Sequence, residues 1–123
     1  MPKITVRKGD AIAAEFSASP DQRLTLALVD NGIDILHRCG GNAKCTTCRV
    51  TVHDGEPARM TVAEYDKLKD KDLLGDVRLS CQMLCEADMT VEPAHLLSDS
   101  GLDDAGSRPA DDITPTPEWM DKP

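Results

Sequence analysis

Aromatic residues are nearly absent from this chain: Phe16, Tyr65 and Trp119 are the only three. Long apolar runs are missing too. The longest, Ala11–Ala14 and Leu26–Val29, have four residues each, against roughly 20 for a membrane-spanning helix. The opening Met1-Pro2-Lys3-Ile4-Thr5 has no apolar h-region, so no secretory leader is expected and the reading is cytoplasmic. Basic charge is in deficit, with a net of −8. Such a chain has neither the phosphate-neutralising groove nor the stacking platforms of a nucleic-acid binder. A cationic protein surface is the better expectation for a partner. There is also no phosphate-binding loop and no Gly-x-Gly-x-x-Gly, hence no recognisable flavin or nicotinamide module.

Cysteine, by contrast, is abundant, with five residues. The number is odd, and a reducing cytosol disfavours structural disulfides. Closely spaced cysteines then read as metal ligands or redox groups.

Charge divides the chain. Residues 1–98 carry a net −3, whereas residues 99–123 carry −5 together with Pro109, Pro115, Pro117 and Pro123. The second stretch has no apolar period and reads as a disordered acidic tail. Its Trp119-Met120 pair is the exception, read as exposed in a flexible end, with a short anchor for a partner or a fold back onto the body as the alternatives. The folded domain is expected over residues 2–98.

Within it the pattern is α+β. Lys3–Arg7 and Ala11–Ser17 read as a hairpin about Lys8-Gly9-Asp10. Ser19-Pro20-Asp21-Gln22 reads as a helix start, with Ser19 as cap and Gln22 completing a capping box. Leu24, Ala27 and Leu28 share the helical face, and Asn31-Gly32 ends it. Arg49–His53 is a strand. Thr61-Val62-Ala63-Glu64 opens a second capped helix with Tyr65 and Leu68 on one face. Val77–Ser80 and Met89–Glu92 are short extended pieces.

The ligand candidates are Cys39, Cys45, Cys48 and Cys81, spaced C-x5-C-x2-C-x32-C. Four thiolates hold either a tetrahedral zinc or an iron–sulfur cluster. Zinc sites usually use two short C-x2-C pairs, and only Cys45/Cys48 forms one. Instead, three cysteines share a loop rich in small residues. Gly40, Gly41 and Ala43 leave the backbone unobstructed, and the glycines can take positive φ. Successive N–H groups can then point at sulfur and stabilise its negative charge. His37, His53 and His95 do not make the two-histidine pattern of a Rieske centre, and His37 is read as packing or tuning. Cys85 is read as a partly buried thiol, with a spare-ligand role as the sharper alternative.

The run Cys39-Gly40-Gly41-x-Ala43-x-Cys45-x-x-Cys48-Arg49, followed by Arg78-Leu79-Ser80-Cys81-Gln82, resembles the 2Fe–2S ferredoxins of the adrenodoxin-like and bacterial type. The resemblance covers about residues 3–93. It implies a β-grasp fold, with a mixed sheet crossed by a helix and a cluster-binding loop at one edge. It implies that Cys39 and Cys45 hold one iron of a 2Fe–2S cluster, and Cys48 and Cys81 the other. It further implies a one-electron carrier rather than an enzyme, a low reduction potential, and two kinds of partner: a flavin-containing ferredoxin reductase and a terminal electron acceptor protein. A monomer forming transient complexes is expected. The alternative is an iron–sulfur protein with a structural, regulatory or cluster-assembly role. Adrenodoxin-like proteins dock through acidic residues on the helix after the cluster loop. Here Glu64, Asp66, Asp70 and Asp72 are interleaved with Lys67, Lys69 and Lys71. Local ion pairs such as Glu64–Lys67 and Asp66–Lys69 are the competing reading.

Overall fold

In the first strand, β1 (Lys3–Lys8), side chains alternate across the sheet, and Ile4 and Val6 are both buried. Gly9, at φ 63°, makes the turn into β2 (Ala11–Ser17), which pairs antiparallel with β1. The structure is a computed structural model and describes residues 2–44 and 46–122. After β2 come α1 (Leu24–Asp30), β3 (Arg49–Asp54), β4 (Arg59–Thr61), α2 (Val62–Asp70), β5 (Arg78–Leu79), a single 3-10 turn at Ser80–Gln82, β6 (Met89–Pro93), α3 (Leu97–Ser100) and β7 (Trp119–Asp121).

The main sheet runs β2-β1-β6-β3-β5. It is mixed: β6 lies parallel to β1, while β3 is antiparallel to both β6 and β5. One face is covered by α1, whose Leu24, Ala27 and Leu28 meet Ile4, Val6, Val50, Met89 and Val91. This is the α+β, β-grasp arrangement. A second apolar cluster lies beside the cysteine loop, where Met60, Leu68 and Leu79 surround Cys48 and Cys81. No helix among the described residues is long and apolar enough to cross a membrane.

Three local expectations are corrected. First, Ser19-Pro20-Asp21-Gln22 is a turn, closed by the Gln22 N–H donating to the Ser19 carbonyl at 3.0 Å. The helix begins at Leu24, with Arg23 at the cap position and no side-chain cap. The Leu24 N–H finds its acceptor in the Met83 carbonyl at 2.8 Å, so a distant chain segment replaces the serine.

Second, Thr61 does cap α2, its hydroxyl accepting from the Glu64 N–H at 3.1 Å. The Glu64 side chain, however, is fully buried and binds Arg78 rather than Lys67. It belongs to the interior, not to a solvated acidic face.

Third, the stretch expected to be a disordered tail is laid against the body. Pro109 and Ile113 are buried, Arg108 pairs with Asp30 at 2.8 Å, and β7 pairs antiparallel with β4. The Arg59 guanidinium lies over the half-buried Trp119 ring at 4.1 Å. Composition weighs apolar content against charge. It misses the buried donors of the body, which take their acceptors from this segment's backbone.

Candidate metal centre

The cysteine loop leaves the main sheet after α1 and returns at β3. His37 anchors its start: the ring is buried, and Nδ1 donates to the Ile35 carbonyl at 2.9 Å. The chain then turns through φ 72° at Gly40, 85° at Gly41 and 58° at Ala43. The two glycines behave as the sequence implies. Ala43 is the surprise, since an alanine rarely takes this conformation. Its N–H bonds to the Cys81 sulfur, as the loop's purpose requires.

Cys81 is carried on the 3-10 turn that follows β5. That turn is fastened to the loop at the Cys48 carbonyl, which accepts from Ser80 Oγ at 2.7 Å and from the Ser80 N–H at 3.2 Å. The Cys81 thiol is fully buried and is held below the ordinary cysteine range. The main cause is a hydrogen bond with the Cys48 thiol; Gln82 Nε2, at 3.7 Å, and the Ala43 N–H add to it against the cost of burial. Cys48 is buried as well, while Cys39 is half-buried. Cys45 lies outside the described residues.

Two polar side chains complete the frame, and sequence reasoning gave neither a role. Arg23 is fully buried, and its fork donates to the Cys81 carbonyl at 3.0 and 2.8 Å and to the Gly41 carbonyl. Burial pushes this guanidinium down; the nearby thiols of Cys81, Cys48 and Cys39 oppose the shift. All three described loop and turn cysteines are therefore within its electrostatic reach. Gln82 accepts from the Thr61 hydroxyl at 2.7 Å and donates towards Gly41. Only the position of Gln82 beside Cys81 hinted at this. Nothing local marked Arg23.

Further out, Arg78 grips Glu64 with two prongs, at 2.7 and 3.0 Å, and the Leu79 N–H adds a third bond at 2.8 Å. Burial raises the Glu64 carboxyl, and three donors on its two oxygens oppose that shift. This pair positions β5, and so Cys81, against α2.

Cys85, four residues on, is a separate matter. It is fully buried in the core under α1, and burial alone pushes its thiol up to about 12. His53 bonds Glu92 at 2.9 Å, and His95 accepts from Arg49 Nε at 3.1 Å.

Among the described residues, no three His, Cys, Asp or Glu side chains group around one metal ion. A two-iron cluster asks less of each metal, because four thiolates are shared two to an iron. Soft thiol donors, inward N–H groups and exclusion of water suit such a cluster and give it no open coordination position. The class this defines is a thiolate-held iron–sulfur domain on a β-grasp sheet.

Comparison with known proteins makes the assignment specific. A family model described as a 2Fe-2S iron-sulfur cluster binding domain matches residues 8–86, and the chain belongs to that family. A 2Fe-2S ferredoxin of Pseudomonas aeruginosa is 39% identical over 83 residues, covering 64% of this chain and 74% of that protein. A component of the Na(+)-translocating NADH-quinone reductase of Shewanella denitrificans is 34% identical over 84 residues, 68% of this chain, but this chain spans only 20% of that component. Among solved structures, a chain of the covalent putidaredoxin reductase–putidaredoxin complex superimposes with a TM-score of 0.57. It is 31% identical, and the match covers 74% of this chain and 96% of that one. The cofactor is a 2Fe–2S cluster, and the ferredoxins among these relatives are electron carriers rather than enzymes.

Proposed function

We propose that this protein is a one-electron carrier of the cytoplasm. It would take electrons from a flavin-containing ferredoxin reductase and deliver them to a terminal acceptor protein. Cys39, Cys45, Cys48 and Cys81 are its ligands, with Cys39 and Cys45 on one iron and Cys48 and Cys81 on the other. The bond between the Cys48 and Cys81 thiols supports the second half of that pairing. A bound 2Fe–2S cluster supplies a single reversible one-electron exchange. The chain's own residues do the rest. Cys48 and Cys81 are sealed from water, Ala43 and Gln82 donate to sulfur, and Cys39 lies at the half-exposed end of the loop. That end is where a partner can approach closely.

The observation that carries this reading is the convergence of Cys39, Cys48 and Cys81 on a positive-φ turn with inward donors. The similarity to a chain solved in complex with its reductase supports the electron donor. Exposed Asp66, Asp70 and Asp72 on and after α2, and Arg38 and Lys44 on the loop, give the surface a mixed charge pattern for steering a transient partner.

Purification without air, followed by iron and sulfide assays and by spectra before and after dithionite, tests the reading. Two irons, two sulfides and a colour that bleaches partly and returns in air are expected. A colourless zinc protein, again obtained after attempted iron–sulfur reconstitution, would overturn it.

A further inference from the structure

Residues 104–114 run along the inner side of the cysteine loop and bond to it at both ends. The Asp104 carbonyl accepts from Arg38 Nη1 at 2.6 Å, and the Ala105 carbonyl accepts from the His37 N–H at 2.9 Å. Gly106, at φ 126°, sits so close to the His37 carbonyl that a Cβ has no room. Pro109 lies over Gly41, where a Cβ would be 2.7 Å from the proline ring and 2.6 Å from Arg23 Nη2. Gly41 is therefore small for two reasons, the approach to sulfur and the fit of this segment.

Arg23 ties the two together. While Nε and Nη2 hold the Cys81 and Gly41 carbonyls, Nη1 donates to Ala110 at 2.9 Å and to Asp112 at 3.2 Å. Gln82 repeats the device, donating to the Thr114 carbonyl at 2.8 Å and towards Gly41 at 3.4 Å. A buried guanidinium can serve four carbonyls at fixed angles. An ammonium on a flexible stem cannot.

We propose that residues 104–114 form a strap closing the inner side of the cysteine loop, fastened by Arg23 as a positioning residue, so that the protein retains its cluster only as well as the strap stays shut. This rests on the reading that the cysteines hold a 2Fe–2S cluster.

The test uses the full chain and two variants that touch the strap from opposite sides. Arg23→Lys keeps the charge and loses the fork. Gly106→Ala leaves the Arg23 side chain itself unaltered and pushes the strap off His37. Loss of visible absorbance in excess EDTA reads cluster retention. Hydrogen exchange of the His37 amide, whose acceptor is in the strap, reads strap opening. Both variants should lose the cluster at least about tenfold faster, the scale set by losing a buried charged hydrogen bond, and both should exchange His37 faster. Faster exchange with unchanged cluster loss would overturn the link between strap and retention. Faster loss with unchanged exchange would overturn the strap and leave Arg23 acting on the loop alone. If Arg23→Lys does not fold, Gly106→Ala decides. A wild-type protein without a cluster would instead sink the electron-carrier reading, and His37 exchange in the variants would still judge the fastening.

Discussion

Under α1, the molecule is held by apolar side chains against one another: Ile4, Leu24, Leu28, Val50 and Val91 meet with nothing polar between them. Around the cysteine loop the contacts are of another kind. Arg23, Gln82, Ser80, Glu64 and Arg78 are all buried, and they spend their hydrogen bonds on backbone carbonyls, backbone N–H groups and one another's side chains or those of Thr61 and Glu56. The first region tolerates adjustment, since non-directional packing can relax around a change. The second cannot, because an unmet buried donor or acceptor keeps its full desolvation cost. A loop that must hold thiolates at fixed places is built by the second method.

Two cysteines separated by four residues put this contrast to its hardest test. Cys81→Ser should abolish the visible absorption of the purified protein, since it removes a proposed ligand. Cys85→Ser should leave the spectrum intact and lower stability by about 1–3 kcal/mol, the cost of a hydroxyl in an apolar site. The same contrast appears in alkylation. With its thiol pushed up to about 12, Cys85 should resist iodoacetamide at pH 8 until the protein is unfolded. A lost spectrum in Cys85→Ser would show that the two regions are not separate.

The next comparison sets one interior group from each side against the other. Glu64→Gln removes the buried one of two counter-charges on Arg78, leaving only Glu56 at 3.3 Å, and should cost at most about 3–5 kcal/mol in urea unfolding. Leu28→Ala removes a fully buried side chain and should cost about 2–5 kcal/mol. The numbers overlap, but the consequences should not. Glu64→Gln loosens β5 and should speed cluster loss in EDTA, whereas Leu28→Ala should lower the unfolding midpoint without that selective effect.

Legibility in the sequence follows the same divide. The hairpin about Gly9, the Leu24/Ala27/Leu28 face and the starts of β3 and β6 could be read because apolar periodicity and turn residues act locally. The turn of the cysteine loop was equally readable, since Gly40 and Gly41 take the positive φ that their lack of a side chain allows. Arg23 was not, because its partners Cys81, Gly41 and Ala110 are 58, 18 and 87 residues away. For the same reason, the capping pattern at Ser19 pointed to the wrong helix start, and the acidic 99–123 segment looked unfit to pack. Glu64 was read as a surface charge because a capping box says where the backbone turns, not where the carboxylate goes.

Where local reading did succeed, its energetic weight is smaller. Of the two expected caps, Ser19 and Thr61, only Thr61 caps its helix, and its hydroxyl bonds twice: it accepts from the Glu64 N–H and donates to Gln82. Thr61→Ala should cost about 1 kcal/mol for the cap, with an added loss from the unmet Gln82 oxygen. Thr61→Ser should restore both bonds and most of the stability. Recovery with serine would separate the hydrogen bonds from the methyl group's packing.

The smallest effect belongs to the rim of the sheet, where neither kind of interior applies. Glu92 accepts from the Gly9 N–H at 2.9 Å and from the His53 ring at 2.9 Å, and in that order these hold its carboxyl below the ordinary range. A depressed carboxyl contributes stability that is present above its unfolded value, near 4.3, and is lost as pH falls through the lower folded value. The side chain is only half-buried, so solvent screening keeps the contribution under about 1 kcal/mol. Glu92→Gln should therefore be slightly less stable than the wild type at pH 7, by urea midpoint, and the two should converge as the solution is taken to pH 3. A gap that persisted at pH 3 would mean that the Gly9 turn depends on the shape of this side chain rather than on its charge.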